Sequence, residues 1–223
     1  MSATLSATRL DALRETERML ARPLTTVRRV GIAAIAPFPT SSLARIIARM
    51  LARHRSGRIL YTTPDWEHFA EPSATRRESA PPGLEGALRV HGAAWVGAPG
   101  LDDRFFDIAL ADAGVVAVDA VPALARARDA LCLVVPVARR AAEDAVGLAE
   151  QLTSEGRRVV LAFDATRRGS AAWARAVGPR LVSPAVVLEP DAALAHPARP
   201  LASRTLLAAA ELAGNLVSDP EPR

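Results

Sequence analysis

The sequence contains no lysine, so all 28 of its basic residues are arginines, set against 24 acidic ones. Arginine does not titrate in the accessible range, which inflates the isoelectric point while the formal charge stays at a modest +4. Basicity of this kind is a weak argument for nucleic-acid binding; the alanine- and arginine-rich usage looks like that of a GC-rich bacterial genome. The single cysteine, Cys132, rules out a disulfide framework and sits in the apolar run Leu131-Cys132-Leu133-Val134-Val135 as core filler. No apolar run approaches the roughly 20 residues of a transmembrane helix. The amino terminus, Met1 to Arg22, is broken by Arg9, Glu15, Glu17 and Arg18 and lacks a signal-peptide core, so a cytoplasmic protein is expected. His54, His68, His91 and His196 are scattered without metal-ligand spacing, which argues against a zinc site. No Gly-x-Ser-x-Gly elbow is present, so a hydrolase triad is not indicated.

What is present suits one well-buried domain: 223 residues, half of them hydrophobic. Ser6 to Ala21 reads as an amphipathic helix ended by Pro23, either packed on the domain edge or serving as a partner-binding arm. Strands are expected at 28–36, 58–63, 91–98, 105–111, 130–135, 158–163 and 185–188. Helices are expected at 40–54, 120–128, 138–156, 170–177 and 203–217, with Val146, Leu148, Ala149 and Leu152 inward on the fourth helix of the chain. Trp66 to Gly86 reads as a long loop with one helical turn. Several strands are apolar throughout rather than alternating, and they interleave with helices. The pattern predicts an α/β fold, doubly wound, with a mainly parallel sheet and helices on both faces in three layers. The organisation is then a helical arm over 1–27, an α/β domain over 28–217 and a disordered tail over 218–223.

The chain is organised around Val30 to Ser42: an apolar strand, a short turn with two prolines, and hydroxyl residues opening a helix. That layout is where nucleotide-binding proteins place a phosphate loop. The later segment Phe106-Asp107-Ile108-Ala109-Leu110-Ala111-Asp112-Ala113-Gly114 reads as an aromatic-Asp, apolar run and Asp-x-Gly. Ile59-Leu60-Tyr61 leads to Thr62-Thr63-Pro64-Asp65, Asp129 precedes an apolar strand ending at Pro136, Val159 to Phe163 ends at Asp164, and Val187-Leu-Glu-Pro-Asp191 closes the series. In this order, over about 190 residues from Arg28 to Val217, the sequence resembles the MinD/ParA family of dimeric P-loop ATPases.

The resemblance implies a Mg-ATP or Mg-ADP site. Its residues would be Thr40, Ser41 and Ser42 at the helix start, Asp112 beside the phosphates and Asp164 where the family contacts adenine, with Asp112 and Thr40 on the magnesium. It also implies a homodimer. The departures concern the chemistry. A phosphate loop needs glycines so that successive N–H groups can face the ligand, whereas Pro37 and Pro39 each remove one. The family's lysines cannot be supplied from any position, and the carboxylate of the water-positioning segment is replaced at Thr62. Arg45 and Arg49 lie along the helix and not in the loop.

These departures predict a vestigial nucleotide site, no catalytic residue and no required cofactor. Weak anion binding is left to the N–H groups of Thr40 to Leu43, with Thr40 as a plain N-cap for the alternative. The expected role is a regulatory or scaffold component working through a protein partner. The Arg22-Pro23-Leu24 lead-in resembles that of proteins accompanying actinobacterial type VII secretion loci, which points to secretion machinery. A divergent ATPase and a DNA-binding partition accessory are the other readings. Arginine pairs at 28–29, 76–77, 139–140, 157–158 and 167–168 would cap sheet edges or, if they converged, form a DNA-facing patch. The 203–217 helix carries Arg204 against Glu211 and leads to Asp219 and Glu221, the wrong charge for an anionic bilayer, so no membrane anchor is expected.

Overall fold

The structure, a computed structural model, describes residues 2–66, 87–91, 94–165, 172–195 and 199–218. The elements in order are α1 (Ser2–Ala21), β1 (Arg28–Ala34), α2 (Thr40–His54), β2 (Ile59–Thr62), β3 (Leu88–His91), β4 (Ala94–Gly97) and β5 (Ile108–Val115). There follow α3 (Val121–Arg126), β6 (Ala130–Pro136), α4 (Arg139–Ser154), β7 (Arg158–Asp164), α5 (Ala172–Val177), β8 (Ala185–Leu188), α6 (Ala192–Ala195) and α7 (Ser203–Val217). One eight-stranded sheet runs β3-β4-β2-β5-β1-β6-β7-β8, parallel throughout except for β3, which pairs antiparallel to β4. The doubly wound α/β architecture expected from the strand pattern is present.

The apolar strands are explained by burial on two sides. In β6, Ala130, Cys132 and Val134 face the layer of α1, α2 and α7, while Leu131, Leu133 and Val135 face the layer of α3, α4 and α5. A strand covered on both faces has no position left for a polar residue. Helix α2 buries Leu43, Ala44, Ile47, Ala48 and Leu51 at helical spacing against the first face. Among the described residues no helix is long and apolar enough to cross a membrane.

Several expectations are corrected. The strand expected within 91–98 is β4, and an unexpected strand before it, β3, pairs antiparallel to it at the sheet edge. The strand over 105–111 starts later and runs on to Val115, so Asp112 and Gly114 lie within it rather than after it. Helix α4 buries Ala142, Ala145, Ala149 and Leu152, with Val146 and Leu148 half-buried at the rim, since the small alanines let the helix approach the sheet closely. Asp164 ends β7 rather than beginning a turn. The 66–86 loop beyond Trp66 and the tail beyond Ser218 lie outside the described residues.

Helix α1 lies across α7. Leu20 is 1% exposed and joins the main apolar cluster, and Arg55 Nη2 donates to the Met19 carbonyl at 3.5 Å. Gly214 of α7 makes this approach feasible, because a Cβ there would stand 3.3 Å from Met19 Cε.

Candidate functional site

The turn after β1 is closed by its own backbone. Ile35 N–H donates to the Val134 carbonyl at 3.1 Å and Val116 N–H to the Ala34 carbonyl at 2.8 Å, so β1 stays clamped between its neighbours to its end. Pro39 has φ −76° and ψ 71°, the geometry of an inverse γ-turn, and Thr40 N–H donates across it to the Phe38 carbonyl at 2.9 Å. Ser42 and Leu43 N–H both donate to the Pro39 carbonyl, at 3.1 and 3.3 Å. Phe38 packs into the apolar clusters beneath α2. The N–H groups of Thr40, Ser42 and Leu43, expected to be open to an anion, are therefore engaged within the turn. The cap position is Pro39 and not Thr40, which is the buried first residue of the helix, and no side chain caps it.

Below the turn, the hydroxyl that meets Asp112 is that of Ser41, which donates to Asp112 Oδ2. Thr63, fully buried just past the end of β2, donates to the same oxygen at 3.2 Å. Gly114 N–H donates to Asp112 Oδ1 at 2.9 Å. Asp112 is 7% exposed, so these donors replace the water it has lost. The β1–β5 register shifts here: Ile32 pairs with Asp112 but Ala33 with Gly114, leaving Ala113 as a bulge. Gly114 takes φ +68°, the left-handed conformation such a bulge favours. Tyr61 completes the arrangement, donating its phenol to the Ser41 carbonyl at 3.1 Å; burial pushes its pKa upward, so it remains a neutral donor.

Thr63 and Tyr61 were not among the residues singled out from sequence, and the signal for them was slight: a hydroxyl at the strand end and the chain's only tyrosine. Thr62, at the position of the missing carboxylate, donates to the Leu110 carbonyl at 3.3 Å and so is tied into the sheet. Ser42 is half-buried on the helix start. Asp164 lies at the end of β7, two strands from β1. Asp191, at the position of the family's base-side loop, ties two helix starts together. Its oxygens accept from Ala193 N–H and Ala202 N–H at 2.9 Å each, and from Thr205 Oγ1 at 2.6 Å. Its desolvation would raise the pKa, but these three donors together with the charge of Arg204 outweigh that and hold the carboxyl below its ordinary value.

Ser41 and Asp112 are the pair that could share a magnesium ion, whereas the turn above them presents prolines and engaged N–H groups where phosphates would sit. The fit to a nucleotide is thus partial on the metal side and poor on the phosphate side. Among the described residues no group of three or more His, Cys, Asp or Glu could hold a metal by itself. Burial pushes the Cys132 thiol up to about 12, which removes it as a nucleophile. Of the arginine pairs, Arg29 binds Asp103 at 2.7 Å, Arg139 binds Glu143 at 2.8 Å and Arg158 Nε donates to the Asn215 carbonyl at 2.6 Å. Arg76, Arg77, Arg167 and Arg168 lie outside the described residues.

No protein-family model matches the chain, and no curated protein matches it in sequence. Solved structures do match in fold. A plasmid partition protein of Borrelia burgdorferi bound to AMPPNP aligns with a TM-score of 0.59 at 10% identity, over 84% of this chain and 97% of that one. The MinD cell division protein of Aquifex aeolicus aligns at 0.57 and 14% identity, over 88% of this chain and 100% of that one. The MinC:MinD complex from the same organism aligns at 0.57 and 13%, over 88% and 99%. At such identities the likeness concerns the fold, which is that of the MinD/ParA P-loop ATPases.

Proposed function

We propose that this chain, built on the MinD/ParA P-loop fold, no longer hydrolyses nucleotide and acts through protein–protein interaction as a regulatory or scaffold component. The observation that carries this reading is the inverse γ-turn at Pro39, which takes up the Thr40 N–H where a phosphate loop would offer it to a ligand. Phosphoryl transfer depends almost entirely on positioned charge, and a chain without lysine cannot place the usual cation in this loop. The Aquifex MinD, solved with MinC, supports a protein partner as the mode of action. A homodimer is supported by Val115 and Val118, 54% and 52% exposed just beyond Asp112. Placement in a secretion machine rests on the Arg22-Pro23-Leu24 resemblance.

A second reading, a divergent nucleotide-binding ATPase, is favoured by the Ser41–Asp112–Thr63 cluster, whose hydroxyl and carboxylate stand together as a magnesium would require. Calorimetric titration with Mg-ATP and Mg-ADP separates the two. The proposal expects no saturable heat; micromolar binding that disappears in Asp112→Ala would establish the second reading in its place.

A further inference from the structure

Helix α1 rests on the body of the protein through a narrow contact. Of its side chains from Leu13 onward, Leu20 alone is buried, Leu13, Thr16 and Met19 are half-buried, and the charged ones are exposed. Its seat is on α7, where a Cβ at Gly214 would stand 3.4 Å from Met19 Cβ and 3.8 Å from the Thr16 carbonyl oxygen. The hydrogen bond from Arg55 to the Met19 carbonyl, at 3.5 Å, is at the outer limit of such bonds. The connection to β1 is equally slight. Arg22 and Pro23 are exposed, Leu24 already packs on the main apolar cluster, and among the described residues no hydrogen bond holds Pro23 to Thr26. The helix thus pivots on a two-residue joint and is fixed by one anchor, Leu20.

We propose that α1 is an exchangeable arm, which two copies of this chain swap so that each α1 sits on the other's α7. The occupant follows from what release leaves behind. An undocked α1 carries Leu20 into water and bares the apolar socket that Leu20 fills. Any other helix in that socket would leave Leu20 of α1 exposed. A second copy covers both at once, and the reciprocal exchange closes as a two-fold pair with no open site. Its contacts are those already made within one chain, so no new complementarity is needed. The joint decides between the two states. Pro23 fixes its own φ and pushes Arg22 toward extended backbone, and a short, stiff joint of this kind favours exchange over folding back.

The surface used is α1 on α7, apart from the face that carries Val115 and Val118, and the inference does not depend on whether nucleotide binds. Cysteine chemistry reads the exchange directly. Disulfides join Cβ atoms roughly 3.5–4.5 Å apart, and positions 19 and 214 fall at that separation. Cys132 is fully buried with its thiol pushed up to about 12, so it does not compete. Full-length Met19→Cys and Gly214→Cys variants, purified apart, are mixed and oxidised. The expected product is a reducible dimer containing one chain of each, at least tenfold more abundant than the dimer of either variant alone. A mixture that stays monomeric, while Met19→Cys/Gly214→Cys closes within one chain, would overturn the proposal. So would Gly214→Cys dimers as abundant as the mixed ones, since those arise by collision.

A second measurement leaves the packed residues untouched. Light scattering on the unaltered chain should show a dimer fraction that rises with concentration. Inserting Gly-Ser-Gly-Ser between Arg22 and Pro23 lengthens the joint, eases docking within one chain and should weaken the dimer about tenfold. Both flanking residues are exposed, so the melting temperature of the insertion variant should hold. A chain that stays monomeric at every concentration overturns the exchange, as does a dimer indifferent to the insertion. A dimer lost instead in Val115→Ser/Val118→Ser would assign association to that other face and overturn it equally.

Discussion

Ser41, the second residue of α2, donates its hydroxyl to Asp112 of β5, 71 residues away in sequence. The two groups bond directly, and Thr63 and Gly114 complete the shell around the carboxylate. The cluster thereby works as a buried tie between the helix start and the centre of the sheet. Removing the carboxylate in Asp112→Ala orphans two hydroxyls and one N–H, and should cost about 1–3 kcal/mol of stability. Thermal melting with and without Mg-ATP checks this; on the proposed function the loss should be the same in both.

Gly114 is held at φ +68° with nothing within 4 Å of where a Cβ would be. Gly114→Ala should therefore be destabilised by the backbone alone, by about 1–2 kcal/mol, and Gly114→Asn by less. Urea denaturation is the measurement: the midpoint should fall with an unchanged slope.

Asp191 should set a pH dependence. Its folded pKa lies below the unfolded value of about 3.9, so its contribution is complete above that value and is lost as pH falls through the folded pKa. Melting temperature should drop with acidification below about pH 4 more steeply in the wild type than in Asp191→Asn. At neutral pH, Asp191→Ala should cost about 1–3 kcal/mol by leaving Ala193, Ala202 and Thr205 without their acceptor.

Gly214→Leu tests the docking of α1. The new side chain would begin 3.3 Å from Met19 Cε and 3.4 Å from Met19 Cβ, which forces α1 outward. The expected result is faster tryptic cleavage at Arg14 and Arg18 with the α/β core intact, and a stability loss of about 1–3 kcal/mol.

Elements with a strong apolar signal were readable from the residues alone. β8 and α7 fall at the expected residues, and α2 follows from Leu43, Ile47 and Leu51 on one face. The β3–β4 hairpin was not readable, because a reversal between two short segments leaves no break in hydrophobicity that a period can register. The continuation of β5 past Asp112 was hidden by Gly114, which reads as the end of a strand but follows the bulge at Ala113 within it.

The site divides in the same way. The absence of lysine and the prolines at 37 and 39 are local facts, and they determined from sequence that this turn departs from a phosphate loop, because proline has no N–H to give. Which hydroxyl meets Asp112, how Asp191 comes to hold two helix starts, and that α1 seats on Gly214 of α7 were decided only by the tertiary structure. Each of these depends on strand order and helix packing bringing distant residues together, and no spacing along the chain encodes a distance across the sheet.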